Sequence, residues 1–280
     1  MRHTFLACAC LTLALAGHEA ASGQDPPKPS DEAEARKLGL TLSSTPEFTE
    51  GKYGTRHTTQ ILYVPFVLDW APSDRSDLAL TVPYVRQRGR EEFAALGGDG
   101  VRASQRVNAK RKPEAIRPRT EDGLGDVLLD GGYVLLEEKD VAPELRGFAT
   151  IKFPTADSSK GLGTGEFDET LGLGLGKKLG KWTTGLDAYY VFVGSPPGTP
   201  LRDSVGLTGR LAYDPTPTLR VAGVLEWATA AARHEQNPLE ARVTVQLRAG
   251  DRVRLEAGVI KGLSNGSPNF GLLTGLAVSF

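Results

Sequence analysis

Beyond residue 22 the chain holds two histidines, His57 and His234, the second beside Glu235. A hydrolase would need a serine and an acid converging on one of them, and two histidines alone make a poor zinc site. The densest group of reactive types is Asp157, Glu166 and Asp168 around Gly161, Gly163 and Gly165. Such carboxylates with loop carbonyls could hold calcium. A glycine-rich loop could cradle phosphate if a helix came after it. The next segment is instead Leu171-Gly172-Leu173-Gly174-Leu175-Gly176, an alternation that belongs to a strand. The glycines therefore read as positive-φ positions of a surface turn, and the acids as solvated. No catalytic residue, metal or cofactor is expected, and the chain does not read as an enzyme.

The charges are more informative. Arg210, Arg220, Arg242, Arg248 and Arg254 fall on successive segments, with Asp187, Glu226 and Glu256 among them. All share the face opposite the apolar residues, as do Arg146, Lys152 and Lys178. Among these positions bases outnumber acids. Two outcomes are open. The charges pair and seal an interior, or the arginines favour anionic solutes such as aromatic carboxylates, which they grip bidentately and stack upon.

The elements that carry these residues alternate at period two. Val243-Thr244-Val245-Gln246-Leu247 and Val253-Arg254-Leu255-Glu256-Ala257 are clear cases, and the period is that of a strand with one apolar and one polar face. Strands are expected near 39–49, 57–70, 78–88, 126–137, 144–154, 169–179, 182–193, 204–214, 218–229, 240–249, 252–263 and 270–280. The first is interrupted by Pro46, so ten strands remain possible beside twelve. Short links (71–76, 138–143, 180–181, 214–217, 250–251) alternate with long ones (89–124, 156–167, 195–203, 230–239, 264–268). That asymmetry, with strands of about ten residues, fits an all-β transmembrane antiparallel up-and-down barrel of about twelve strands. In a soluble β-sandwich the same apolar face would be a core. Trp182, Tyr213, Trp227, Phe270 and Phe280 lie near strand ends, which suits interfacial girdles.

Residues 1–22 read as a signal peptide with cleavage after Ala16 or Ser22. The apolar run Phe5–Ala16 is too short to span a bilayer, and it contains both cysteines, Cys8 and Cys10. Residues 23–38 read as an exposed Pro- and charge-rich periplasmic linker, and 39–280 as the barrel. The net charge of −1 argues against nucleic-acid binding. The long link 89–124 carries Arg102, Arg106, Lys110, Arg111, Lys112, Arg117 and Arg119, which could fold inward or meet anionic lipopolysaccharide.

The final stretch, Phe270 to Phe280, alternates and ends on an aromatic residue. It resembles the C-terminal strand of outer-membrane barrels. That likeness implies recognition of Phe280 by the barrel assembly machinery. A narrower resemblance lies in Ile151-Lys152-Phe153-Pro154-Thr155-Ala156-Asp157, followed by Gly161-Leu162-Gly163-Thr164-Gly165 and Asp168. It is similar to the signature hairpin of the outer-membrane family named for the MetA pathway of phenol degradation, with Ala156 where that family carries glycine. The signature residues are Pro154, Thr155, Asp157, Gly161, Gly163, Gly165 and Asp168. The resemblance implies a Gram-negative outer-membrane channel or transporter for small hydrophobic, aromatic or anionic solutes, working by passive diffusion among membrane lipids. The alternatives are a closed structural or adhesion barrel binding a partner through its outer loops, and a soluble periplasmic β-sandwich.

Overall fold

A computed structural model describes residues 39–89, 93–94, 105–106, 118–232 and 235–280. The expected signal peptide and linker lie outside these residues, as do His234 and most of the basic stretch 90–117. The described chain forms a closed antiparallel barrel of twelve strands.

Strand β1 has two arms, Leu40–Ser44 and Glu47–Gly51, and is followed by β2 (Thr59–Ser73) and β3 (Ser76–Gly89). Strand β4 also has two arms, Arg119–Leu124 and Val127–Leu136. Then come β5 (Glu144–Phe153), β6 (Asp168–Leu179), β7 (Trp182–Val193) and β8 (Ser204–Thr216). The last four are β9 (Leu219–Ala228), β10 (Leu239–Ala249), β11 (Val253–Gly262) and β12 (Phe270–Ser279). Each pairs with its sequence neighbours, and β12 closes on β1 through Thr41↔Ser279 to Ser44↔Leu276. Closure leaves no sheet edge to bond with lipid, which cannot satisfy it.

Both broken strands have local causes. In β1, Ser43↔Val67 and Glu47↔Tyr63 keep one register across the gap. Pro46 removes a ladder donor, while its carbonyl still accepts from Thr274 N at 3.1 Å. In β4, Thr81↔Leu128 and Tyr84↔Leu124 differ by one residue, so 125–127 face only Val82 and Pro83. This is a β-bulge, and it aims Asp126 inward. The arm Arg119–Leu124 corrects the reading of 89–124 as one loop. Its outward-facing neighbours on β3 include Arg86 and Arg88. This arm therefore stands above the apolar belt and carries no apolar alternation.

Burial is inverted relative to a soluble protein. Exposed side chains include Leu171, Leu173, Leu175, Leu186, Leu207, Leu225, Val243, Val245, Leu272 and Leu276. The largest side chains buried almost completely include Lys152, Thr49, Thr59, Thr208, Asp130 and Asp168. Water would not tolerate that arrangement, whereas a bilayer requires it. The soluble-sandwich reading fails here, because among the described residues the apolar faces meet no second layer. Aromatic pairs mark both rims: Trp182 with Tyr213 at 4.6 Å, and Tyr190 with Phe192 at 4.8 Å. The turns 74–75, 180–181, 217–218 and 250–252 share one end of the barrel with the last residue, Phe280. That end is the periplasmic one by the rule that inner turns are short.

Candidate functional site

The candidate site is the lumen and the segment that enters it. Arg210, Arg220, Arg242, Arg248, Arg254, Asp187, Glu226 and Glu256 lie on the inward side of their strands, because they share pairing rows with inward partners. The ion pairs at this face are specific. Arg146 donates to both oxygens of Asp77 at 2.5 Å. Arg220 grips Asp214 through Nε at 2.7 Å and Nη2 at 2.8 Å. Arg242 reaches Glu47 at 2.5 Å, and Arg210 pairs with Asp187. Arg254 lies within electrostatic reach of Asp69, Glu256, Arg248 and Arg220.

The expected excess of base is corrected. The same face also carries Glu47, Asp69, Asp77, Asp126, Asp130, Glu144, Asp168, Asp214 and Glu240. Acids therefore outnumber bases among the described lumen residues. These acids were missed because several sit at strand ends or beside a bulge, where the alternation is weakest.

At the extracellular mouth the link 154–167 folds inward. Lys152, 1% exposed on its side chain, is the hub. Its Nζ lies 3.1 Å from Asp126 and 3.2 Å from Asp168, and it donates to Thr164 Oγ1 at 3.0 Å and the Glu166 carbonyl at 3.1 Å. One ammonium thus joins the β4 bulge, the top of β5, the start of β6 and the loop between them. Gln87, itself buried on β3, donates to the Gly161 carbonyl at 3.0 Å, and Leu162 is buried beside it. The loop spans the mouth from β5–β6 toward β3.

Several of the signature residues shape this loop and the bulge beneath it. Thr155 Oγ1 accepts from Val127 N at 2.9 Å and donates to the Gly125 carbonyl at 3.1 Å, stitching the bulge. Pro154 precedes it at the end of β5. Asp157 accepts from Ser159 N and Oγ, capping a single 3-10 turn, and these bonds hold its carboxyl below the usual range. Gly161 and Gly165 adopt φ of 72° and 78°, where a side chain is strained. Gly163 is needed for space: a Cβ there would meet the Asp126 carboxylate at 2.6 Å and the Ala156 methyl at 2.7 Å. Ala156 is accommodated by that gap, and its N–H donates to Asp126 at 2.9 Å. Asp168 accepts from Gly194 N at 2.9 Å as well as pairing with Lys152.

Asp157, Glu166 and Asp168 do not converge. Among the described residues no group of three potential ligands could hold a metal. Gly262-Leu263-Ser264-Asn265-Gly266 has the spacing of a nucleophile elbow, but it links two strands rather than a strand and a helix. Ser264 Oγ donates to the Asn237 carbonyl at 2.8 Å and accepts from Leu239 N at 3.0 Å, so it ties two loops together. His57 lies in the loop after β1. At the other rim, Phe280 N donates to the Leu40 carbonyl at 2.9 Å, which continues the β12–β1 seam.

Comparison with solved structures finds the same architecture. The COG4313 outer membrane channel from Pseudomonas putida F1 is 17% identical, with a TM-score of 0.62 over 91% of this chain and 100% of that one. The KdgM porin in complex with disordered oligogalacturonate is 10% identical, with a TM-score of 0.52 over 86% of this chain and 99% of that one. The translocator domain of the autotransporter NalP from Neisseria meningitidis is 11% identical, with a TM-score of 0.52 over 90% and 92% of the two chains. At these identities the likeness establishes the fold. A search of the curated proteins found no match. The family model described as "Putative MetA-pathway of phenol degradation" matches residues 46–280, and the chain belongs to that family.

Proposed function

We propose that the protein is a passive channel of the Gram-negative outer membrane for small apolar or aromatic solutes, without bond chemistry. The observation that carries this reading is the inside-out barrel. Its lumen is polar and cross-paired, and its mouth is narrowed by the loop 154–167. Family membership supports an aromatic solute, and the folds of the Pseudomonas channel and the porin are consistent with conduction. The anionic branch is weakened. Arg146, Arg210, Arg220 and Arg242 are engaged by carboxylates, and acids prevail on the lumen face. In this reading residues 1–22 direct export, the assembly machinery engages the Phe280 strand, and lipopolysaccharide surrounds the outer loops.

The first test is a heat-modifiability gel on detergent-extracted membranes, followed by conductance of the purified protein in planar bilayers. A band shift and ion steps are expected. A fully soluble periplasmic protein would overturn the proposal. A second reading, a closed barrel that binds a partner through its outer loops, draws on the loop lying across the mouth against Gln87. A shifted band with no conductance would favour it.

A further inference from the structure

One row of the inner wall alternates glycine with a large side chain. Across β3 to β8 it runs Asp77, Gly132, Phe148, Gly172, Tyr189, Gly206 in register. Each glycine lies beneath a flat group from the neighbouring strand. The Arg146 guanidinium covers Gly132, the Phe148 ring covers Gly172 and the Tyr189 ring covers Gly206. A Cβ at any of the three would collide with that group. The rings lie down along the wall instead of standing toward the axis. Both are half-buried, unlike the packed cluster of Tyr53, Ile61 and Tyr63. Both rings stand on the lumen-facing row of their strands and keep part of their surface exposed.

We propose that Phe148 and Tyr189 form a stacking track for planar aromatic solutes, with the Arg146 guanidinium at its edge. This assignment rests on the channel reading. An aromatic face attracts another ring in an offset or edge-on arrangement beyond the gain from buried area, and a guanidinium adds a further flat surface. A saturated ring of equal size receives only the non-specific part. The track therefore discriminates by aromaticity rather than by size or by the hydroxyl group.

The probe pair is phenol and cyclohexanol, and the readout is reversible block of the ion current through the full-length protein in planar bilayers. Phenol is expected to half-block at a concentration roughly two- to tenfold below that of cyclohexanol. Phe148→Leu with Tyr189→Leu should equalise the two, whereas Phe148→Tyr, which keeps a ring, should preserve the difference. Each variant is first checked for an unchanged heat-modifiability shift. Equal block of the wild type by both probes overturns the track and leaves the channel reading standing. Absence of any wild-type conductance overturns both. Preferential phenol block that persists in the double leucine variant, with slowed folding, shows that the rings serve only to cover wall glycines. If the double variant does not fold, Phe148→Leu alone decides, and unchanged discrimination there overturns the assignment of Phe148.

Discussion

Lys152 carries the largest local consequence. Its ammonium is enclosed by Asp126, Asp168, Thr164 and the Glu166 carbonyl. Removing one partner of a buried ion pair leaves the others uncompensated, at a cost of about 3–5 kcal/mol. Lys152→Met is therefore expected to lower stability to urea by that order and to free the loop 154–167. Larger single-channel conductance and faster proteolysis within the loop would report the release. Gly163→Val tests the same loop by a different route, since its side chain would enter the Asp126 carboxylate and the Ala156 methyl. It should raise conductance while every charge of the cluster remains. If both variants leave conductance at the wild-type value, the loop is not the constriction. The sequence displays Lys152 and the glycines as a motif. It does not display Asp126, because a bulge residue has no period to betray it.

At the level of elements, the strands answer to the bilayer. Leu173 lies near the middle of β6 on the lipid-facing side and is 54% exposed. Leu173→Arg should cost about 2–4 kcal/mol of folding stability in liposomes, the penalty for arginine at the midplane. Thr208→Ser, on the lumen face of β8, should change it little. Similar losses from the two would contradict the assignment of faces. The β12–β1 seam yields a different expectation. Phe280 contributes a backbone N–H to Leu40, and the residue is 57% exposed. Phe280→Ala should keep the heat-modifiability of refolded protein yet lower the amount assembled in cells. Equal assembly in cells would remove Phe280 as a recognition signal. Most strand positions were legible from alternation alone. The outer arm of β4 was not, because above the lipid no apolar face is required.

For the whole molecule, the distribution of charge along the pore matters more than its sum. Toward the extracellular end the lumen carries Glu47, Asp126, Asp168, Glu226 and Glu240 against Lys152 and Arg242. Toward the periplasmic end Arg146, Arg210 and Arg220 each face a carboxylate. The outer half should therefore attract cations, and a salt gradient should give a reversal potential of cation-selective sign. Changing Arg210, Arg220 and Arg242 to Ala should strengthen that selectivity by unmasking Asp187, Asp214 and Glu47. An anion-selective wild type would restore the arginine-ladder reading.

By itself the sequence determined the strand count to within two, the parity of the faces, the seam-forming last strand and the family hairpin. These rest on local rules, since period two, turn residues and a short motif are written within a few residues of one another. Only the tertiary structure decided which face is the interior, because alternation is the same in a sandwich and in a barrel. Closure also decided the lumen chemistry. Arg242 of β10 meets Glu47 of β1, and Gln87 of β3 meets Gly161 of the β5–β6 loop. Those partners lie 195 and 74 residues apart in the chain. No spacing rule links them, because their proximity exists only once the sheet has curled and shut.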